Sequence, residues 1–175
     1  MAKPFQLELF MQRHGFDSYE ALIERADRDP EWFWPAVMDF HGLVFFKHFD
    51  KVLDTSQGIE WPRWCIGGTT NLAYNCMERR LAAGHGDRTA IIWEGEDGEP
   101  RHWNYDRLVT EAEHDAAGLK RLGLGKGGGV GVYMPFLPET IAAFLAITRI
   151  GGIALPMFSG FGPQAVIERL VDAEA

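Results

Sequence analysis

Residues 130–170 read VGVYMPFLPETIAAFLAITRIGGIALPMFSGFGPQAVIERL, and the order of elements within them sets the architecture. Val130 to Met134 is a short apolar strand. Pro138 occupies the first position of a helix that carries Ile141, Phe144 and Leu145 on one face, and Gly151 stops it. Ile153 to Phe158 reads as a second strand, and Pro163 opens a second helix with Val166, Ile167 and Leu170. Strand, helix, strand, helix in units this short predicts an α/β fold: a parallel sheet with right-handed crossovers. A parallel sheet of two strands is too small to be buried on both faces, so further strands are expected downstream of Ala175.

Working back from this core, the pattern changes. Asn104 caps a predicted helix whose apolar face is Leu108, Val109, Ala112, Ala116 and Leu119. Thr89 to Trp93 and Arg101 to Trp103 pair as a hairpin about Asp97-Gly98. A helix follows Gly67-Gly68-Thr69-Thr70, with Ala73, Cys76, Met77 and Leu81 on one face and Gly84 as its stop. Segment 43–68 shows no clean period and reads as an extended arm lying on other surface. Asp29-Pro30 starts a helix that ends near Gly42 and that Pro35 should bend or shorten. Asp17 with Glu20 makes a capping-box start for the helix before it. Four of the six tryptophans (Trp32, Trp34, Trp61 and Trp64) fall in this first third, a density that points to packing.

Composition narrows the function. A 46% apolar, 24% charged chain folds rather than staying disordered. A formal charge of −8 with no basic run argues against nucleic acid and against an anionic membrane surface. Cys65 and Cys76 cannot build a disulfide framework and match no metal spacing. The opening MAKPFQLELF lacks the apolar run of a signal peptide, and Ile141 to Thr148 is too short to span a bilayer, so a cytoplasmic protein is expected.

Three stretches look chemical. Gly67-Gly68-Thr69-Thr70-Asn71 could present backbone N–H groups to a phosphate, but no lysine or preceding apolar strand accompanies it; a helix cap with a tight entry turn is the better reading. Gly123 to Gly129 joins a helix to a strand, so no helix N-terminus faces it, and a flexible turn is expected. Phe158-Ser159-Gly160-Phe161-Gly162 is better placed, leaving the carboxyl end of a parallel strand where open α/β sheets bind ligands. Its glycines permit close backbone approach, and Phe158 or Phe161 can stack on a planar ring. The six histidines show no metal spacing, Glu111, Glu113 and Asp115 read as solvated, and no catalytic acid–base pair or nucleophile motif is present.

Several of these stretches, in order, resemble the N-terminal region of the acetyl-CoA synthetase group of the adenylate-forming (AMP-forming) acyl-CoA ligases. The carrying residues are Asp29 to Trp34, Lys51 to Asp54, Gly58 to Trp64, and Gly67 to Leu72 with Asn75, Cys76 and Arg79. They continue with Tyr133-Met134-Pro135, Pro138-Glu139, Arg149-Ile150-Gly151 and Phe158 to Pro163. The resemblance covers roughly residues 28–175. It implies an N-terminal helical and aromatic extension over 1–85, followed over 86–175 by the start of a βαβα parallel-sheet domain, the incomplete large AMP-binding domain. It implies a parent reaction that uses ATP, Mg²⁺ and CoA to convert a small carboxylic acid, acetate foremost, into its thioester. The family's Ser/Thr/Gly-rich loop ending in Pro-Lys-Gly is missing from the chain, as is the adenylation lysine, so the isolated 175 residues are expected to be inactive. One site carries over: the strand-end Phe-Gly-Gly segment that lines the pocket for the adenine end of CoA matches Phe158, Ser159 and Gly160, with Ser159 in place of the usual first glycine. A competing expectation is a stand-alone, non-catalytic remnant or interaction module that docks through its aromatic arm. A fragment should expose apolar surface where the sheet is incomplete.

Overall fold

The computed structural model describes residues 5–175, so the first four residues of the opening stretch lie outside it. These residues form two compact units, divided between Thr70 and Asn71.

The first unit is helical and aromatic. Helix α1 (Gln6–His14) was not foreseen. Its first turn is closed by the Glu8 carboxylate accepting the Phe5 N–H (3.1 Å), and its end by Gly15 in the left-handed conformation. Helix α2 (Tyr19–Arg28) is capped by Ser18, not Asp17: the Ser18 hydroxyl accepts the Ala21 N–H at 3.2 Å. The cap sits one residue later because Ser18 is the residue with extended backbone in front of the first helical turn. Helix α3 (Pro30–Phe40) begins at the expected proline, with the Asp29 carboxylate accepting the Trp32 N–H. Pro35 does not end it. The helix runs on to Phe40 and closes on left-handed Gly42, where the Leu43 N–H meets the Met38 carbonyl at 2.8 Å. Phe10 is buried edge-on between Phe33 and Phe40, and His14 and Phe16 close on Trp32.

Segment 43–68 is not a bare arm. Strands β1 (Lys51–Asp54) and β2 (Arg63–Ile66) pair antiparallel, Leu53 opposite Trp64 and Asp54 opposite Arg63. Four residues per strand are too few for a period-2 pattern to stand out, so the ribbon was hidden in the sequence. Asp54 anchors it, accepting from Arg63, from Lys51 at 3.2 Å and from the Ser56 N–H at 3.3 Å.

The second unit carries the α/β pattern. A π-helical turn (Tyr74–Glu78) leads into helix α4 (Arg79–Ala82). Strands β3 (Thr89–Glu94) and β4 (Pro100–Asn104) form the expected hairpin, with Gly98 left-handed at its tip. Helix α5 (Tyr105–Arg121) starts at Asn104, whose side chain accepts the Arg107 N–H at 2.9 Å. Then come β5 (Gly129–Val132), α6 (Pro138–Arg149), β6 (Ile153–Pro156) and α7 (Pro163–Asp172). Strands β5 and β6 pair in parallel, Val130 opposite Ala154, as the crossover through α6 requires. Each strand is shorter at its carboxyl end than expected, which leaves Tyr133 and Phe158 in the loops beyond.

The core of this unit packs α5 against α6: Leu108, Val109, Ala112 and Ala116 meet Ala142, Leu145 and Ala146, with Trp103 and Met77 beneath. Alanines at the contact let the two helices approach closely. The π turn changes which residues enter. Asn75 is buried beside Met77 and Ala73, and Cys76, expected on the apolar face, is exposed. A π turn carries an extra residue relative to an α turn and so rotates the face. Glu113, read as solvated, is half exposed yet pairs with Arg149 at 2.9 Å, and Arg149 also reaches Glu78 at 3.1 Å.

Candidate functional site

The loop that leaves β6 holds the one site singled out by the sequence. The Phe161 N–H donates to the Phe158 carbonyl at 2.9 Å, closing residues 158–161 into a tight turn. Gly162 and Pro163 then start α7, with no side-chain cap at its N-terminus. Within the turn, Phe158 lies over Gly160: a Cβ added there would sit 2.6 Å from the Phe158 ring. With glycine at 160 the Phe158 ring settles against the turn, and a side chain there would push it aside. The Phe158 and Phe161 rings meet edge to face at 5.6 Å and 84°. They differ in exposure. Phe158 is 69% exposed, whereas Phe161 is partly covered.

Two residues the sequence did not single out as functional fix this loop. The Tyr133 hydroxyl, one residue past β5, donates to the Phe161 carbonyl at 2.7 Å. The Arg169 guanidinium, on α7, stands 4.2 Å from the centre of the Phe161 ring and donates to the Ala165 carbonyl at 2.8 Å. Both act on a residue many positions away in sequence, so no local motif marks them.

The other two chemical-looking stretches take the bland reading. Gly67 is left-handed with the Asp50 carboxylate packed against it, which would repel a phosphate. Asn71 is the cap, its side-chain oxygen accepting the Tyr74 N–H at 3.1 Å. Gly123 and Gly127 are left-handed in the α5-to-β5 turn, and the Gly127 N–H goes to the Gly151 carbonyl. Among the described residues, no three His, Cys, Asp or Glu side chains come together as a metal site, and no helix is long and apolar enough to cross a membrane.

A separate groove of about 490 Å³ lies between α5, α6 and β5. Val130, Val132, Leu119 and Ile147 are among its apolar lining residues, and Glu111, His114 and Asp115 also border it. Burial, and then the nearby Glu111, push the Asp115 carboxyl above its ordinary range. Arg101 forks onto Glu139 at the same groove and holds that carboxyl low.

A family model described as AMP-binding enzyme matches residues 78–175, just over half the chain. The chain belongs to this family. A second model, acetyl-coenzyme A synthetase N-terminus, matches residues 19–76. Among curated relatives, the acetyl-coenzyme A synthetase of Rhodopirellula baltica is 42% identical over 165 residues, covering 91% of this chain and 24% of its own length. That of Burkholderia lata is 38% identical over 174 residues, covering 99% of this chain and 26% of its own. That of Mycobacterium tuberculosis is 41% identical over 155 residues, covering 88% and 23%. The solved acetoacetyl-CoA synthetase from Streptomyces lividans superposes with a TM-score of 0.85 at 25% identity, over 97% of this chain and 27% of that one. This chain therefore spans about a quarter of the length of the relatives it matches. The α/β fold and the family resemblance read from the sequence agree with these findings.

Proposed function

We propose that these residues serve as the opening segment and first part of the large domain of an AMP-forming acyl-CoA synthetase acting on acetate or another small carboxylate. The carrying observation is that the two family models abut along one chain, the first ending at 76 and the second beginning at 78. The domain division we assign is an extension over 1–85 and the AMP-binding domain from 86 onward, in the cytoplasm.

In the reaction proposed for the whole protein, a carboxylate oxygen attacks the α-phosphorus of ATP and pyrophosphate leaves. The CoA thiol then attacks the acyl carbon, loses its proton and displaces AMP. Mg²⁺ and basic side chains supply neutralisation of phosphate charge in such a scheme. This chain's own contribution is a seat for the adenine end of CoA at Phe158, Ser159 and Gly160. An exposed aromatic ring on a glycine-permitted turn at the end of a parallel strand supports that reading. Ser159, exposed in the turn, adds a side chain where the family has none.

The test joins this chain to the remaining three-quarters of a relative and measures acetate-dependent AMP formation with CoA. Turnover by the chimera, with none in ATP–pyrophosphate exchange by the 175 residues alone, is the expected result. A folded chimera that forms no acyl adenylate overturns the reading, and so does robust exchange by the isolated chain. The exposed Ile59, Trp61 and Trp64 in the first unit favour the alternative of a non-catalytic interaction module. That alternative calls for a monodisperse chain or a defined oligomer.

A further inference from the structure

We propose that Tyr133 and Arg169 are positioning residues that hold Phe161 as an anchor, so that Phe158 stays turned outward as a stacking platform for the ligand's planar base. The inference rests on the reading of Phe158, Ser159 and Gly160 as the seat of the adenine end of CoA.

Phe161 is held at three points. Its carbonyl accepts the Tyr133 hydroxyl at 2.7 Å. Its ring lies under the Arg169 guanidinium at 4.2 Å and takes the edge contact from Phe158 at 5.6 Å. Its N–H closes the turn onto the Phe158 carbonyl. Each hold comes from a different place: the loop after β5, helix α7 and the turn itself. Arg169 is itself tied to the Ala165 carbonyl, which sets its guanidinium over the ring.

Phe158 has the opposite situation. It touches Phe161 and Gly160, and most of its surface faces solvent. A large apolar ring kept out in water is costly. A turn built to keep it there gains most when a flat partner covers the ring, and preorganisation lowers the cost of that binding. Tyr133 and Arg169 act on the anchor, so their part is geometric.

The 175-residue chain itself serves for the test, with Tyr133→Phe, Arg169→Met and Arg169→Lys. Calorimetric titration with CoA gives affinity, amide exchange at Phe161 reports the turn, and the melting temperature reports the fold. Tyr133→Phe and Arg169→Met should speed exchange at Phe161 and weaken CoA binding roughly fivefold to tenfold, one weak hydrogen bond or cation–π contact each. Melting temperatures should hold, and Arg169→Lys should recover part of the loss. Parent-like affinity in both variants overturns the proposal, as does a loss that tracks a falling melting temperature. If the parent chain binds no CoA, the seat reading fails, and exchange at Phe161 decides the positioning role by itself: faster in the variants supports it, unchanged overturns it.

Discussion

Asn71 uses both ends of its side-chain amide on helix termini. Its oxygen caps the turn that starts at Tyr74, and its NH₂ donates to the Thr148 and Arg149 carbonyls at the end of α6, at 2.9 and 3.3 Å. Replacing it with alanine removes a cap and takes the Asn71 donor from the Arg149 carbonyl, while the Thr148 carbonyl keeps the Gly151 N–H, so Asn71→Ala should cost about 1–3 kcal/mol in a urea unfolding titration. Asn71→Asp keeps the cap but sets a carboxylate against those carbonyls, and should be worse than alanine at neutral pH. Asp54 gives a pH prediction. Arg63, and then Lys51, hold its carboxyl well below the ordinary 3.8. A depressed folded-state pKa stabilises above the unfolded value, and that stabilisation fades as pH falls below about 4 toward the folded one. Arg63→Ala should therefore lower stability at pH 7 and flatten its acid dependence between roughly pH 4 and 2, read from midpoints at each pH. The cap at Asn71 showed in the sequence, but Asn71 to Arg149 and Asp54 to Arg63 did not, because they are pairings set by packing or by a strand register. The turn at Phe158 to Phe161 was legible for the opposite reason: a strand followed by glycine is a local signature.

Elements with a strong local signal were legible, and weak ones were not. Helix α5 shows a five-residue apolar stripe after an Asn cap, and the β3–β4 hairpin shows a turn dipeptide between β-branched and aromatic runs. Gly98 at that turn has φ of 76° and nothing within 4 Å of an added Cβ, so Gly98→Ala tests backbone strain alone. It should destabilise the hairpin by about 1 kcal/mol without disturbing packing, visible as a lowered unfolding midpoint with an unchanged slope. Helix α1 escaped notice because its stripe is short and its closing contacts are a glutamate folded back on Phe5 and a left-handed glycine. The π turn leaves no mark in the sequence: a period of 3.6 residues per turn puts Cys76 inward, where the structure buries Asn75.

At the scale of the whole molecule, the second unit presents an apolar groove and a two-stranded parallel sheet with no further strand beside it among the described residues. Exposed strand edges and apolar lining of this kind favour association. The chain should bind an apolar reporter dye and show concentration-dependent mass by light scattering, with Leu122→Lys, at the exposed rim of the groove, reducing both. A strictly monomeric chain at high concentration would count against this. The same sheet has a consequence in time. When a relative four times this length is made on the ribosome, its matching quarter emerges early. At about 5–20 residues per second the remaining three-quarters take on the order of a minute to appear. Until neighbouring strands emerge, a β5–β6 pair of this kind has its helices but an open edge, and such an edge favours pairing with another copy on the same messenger RNA.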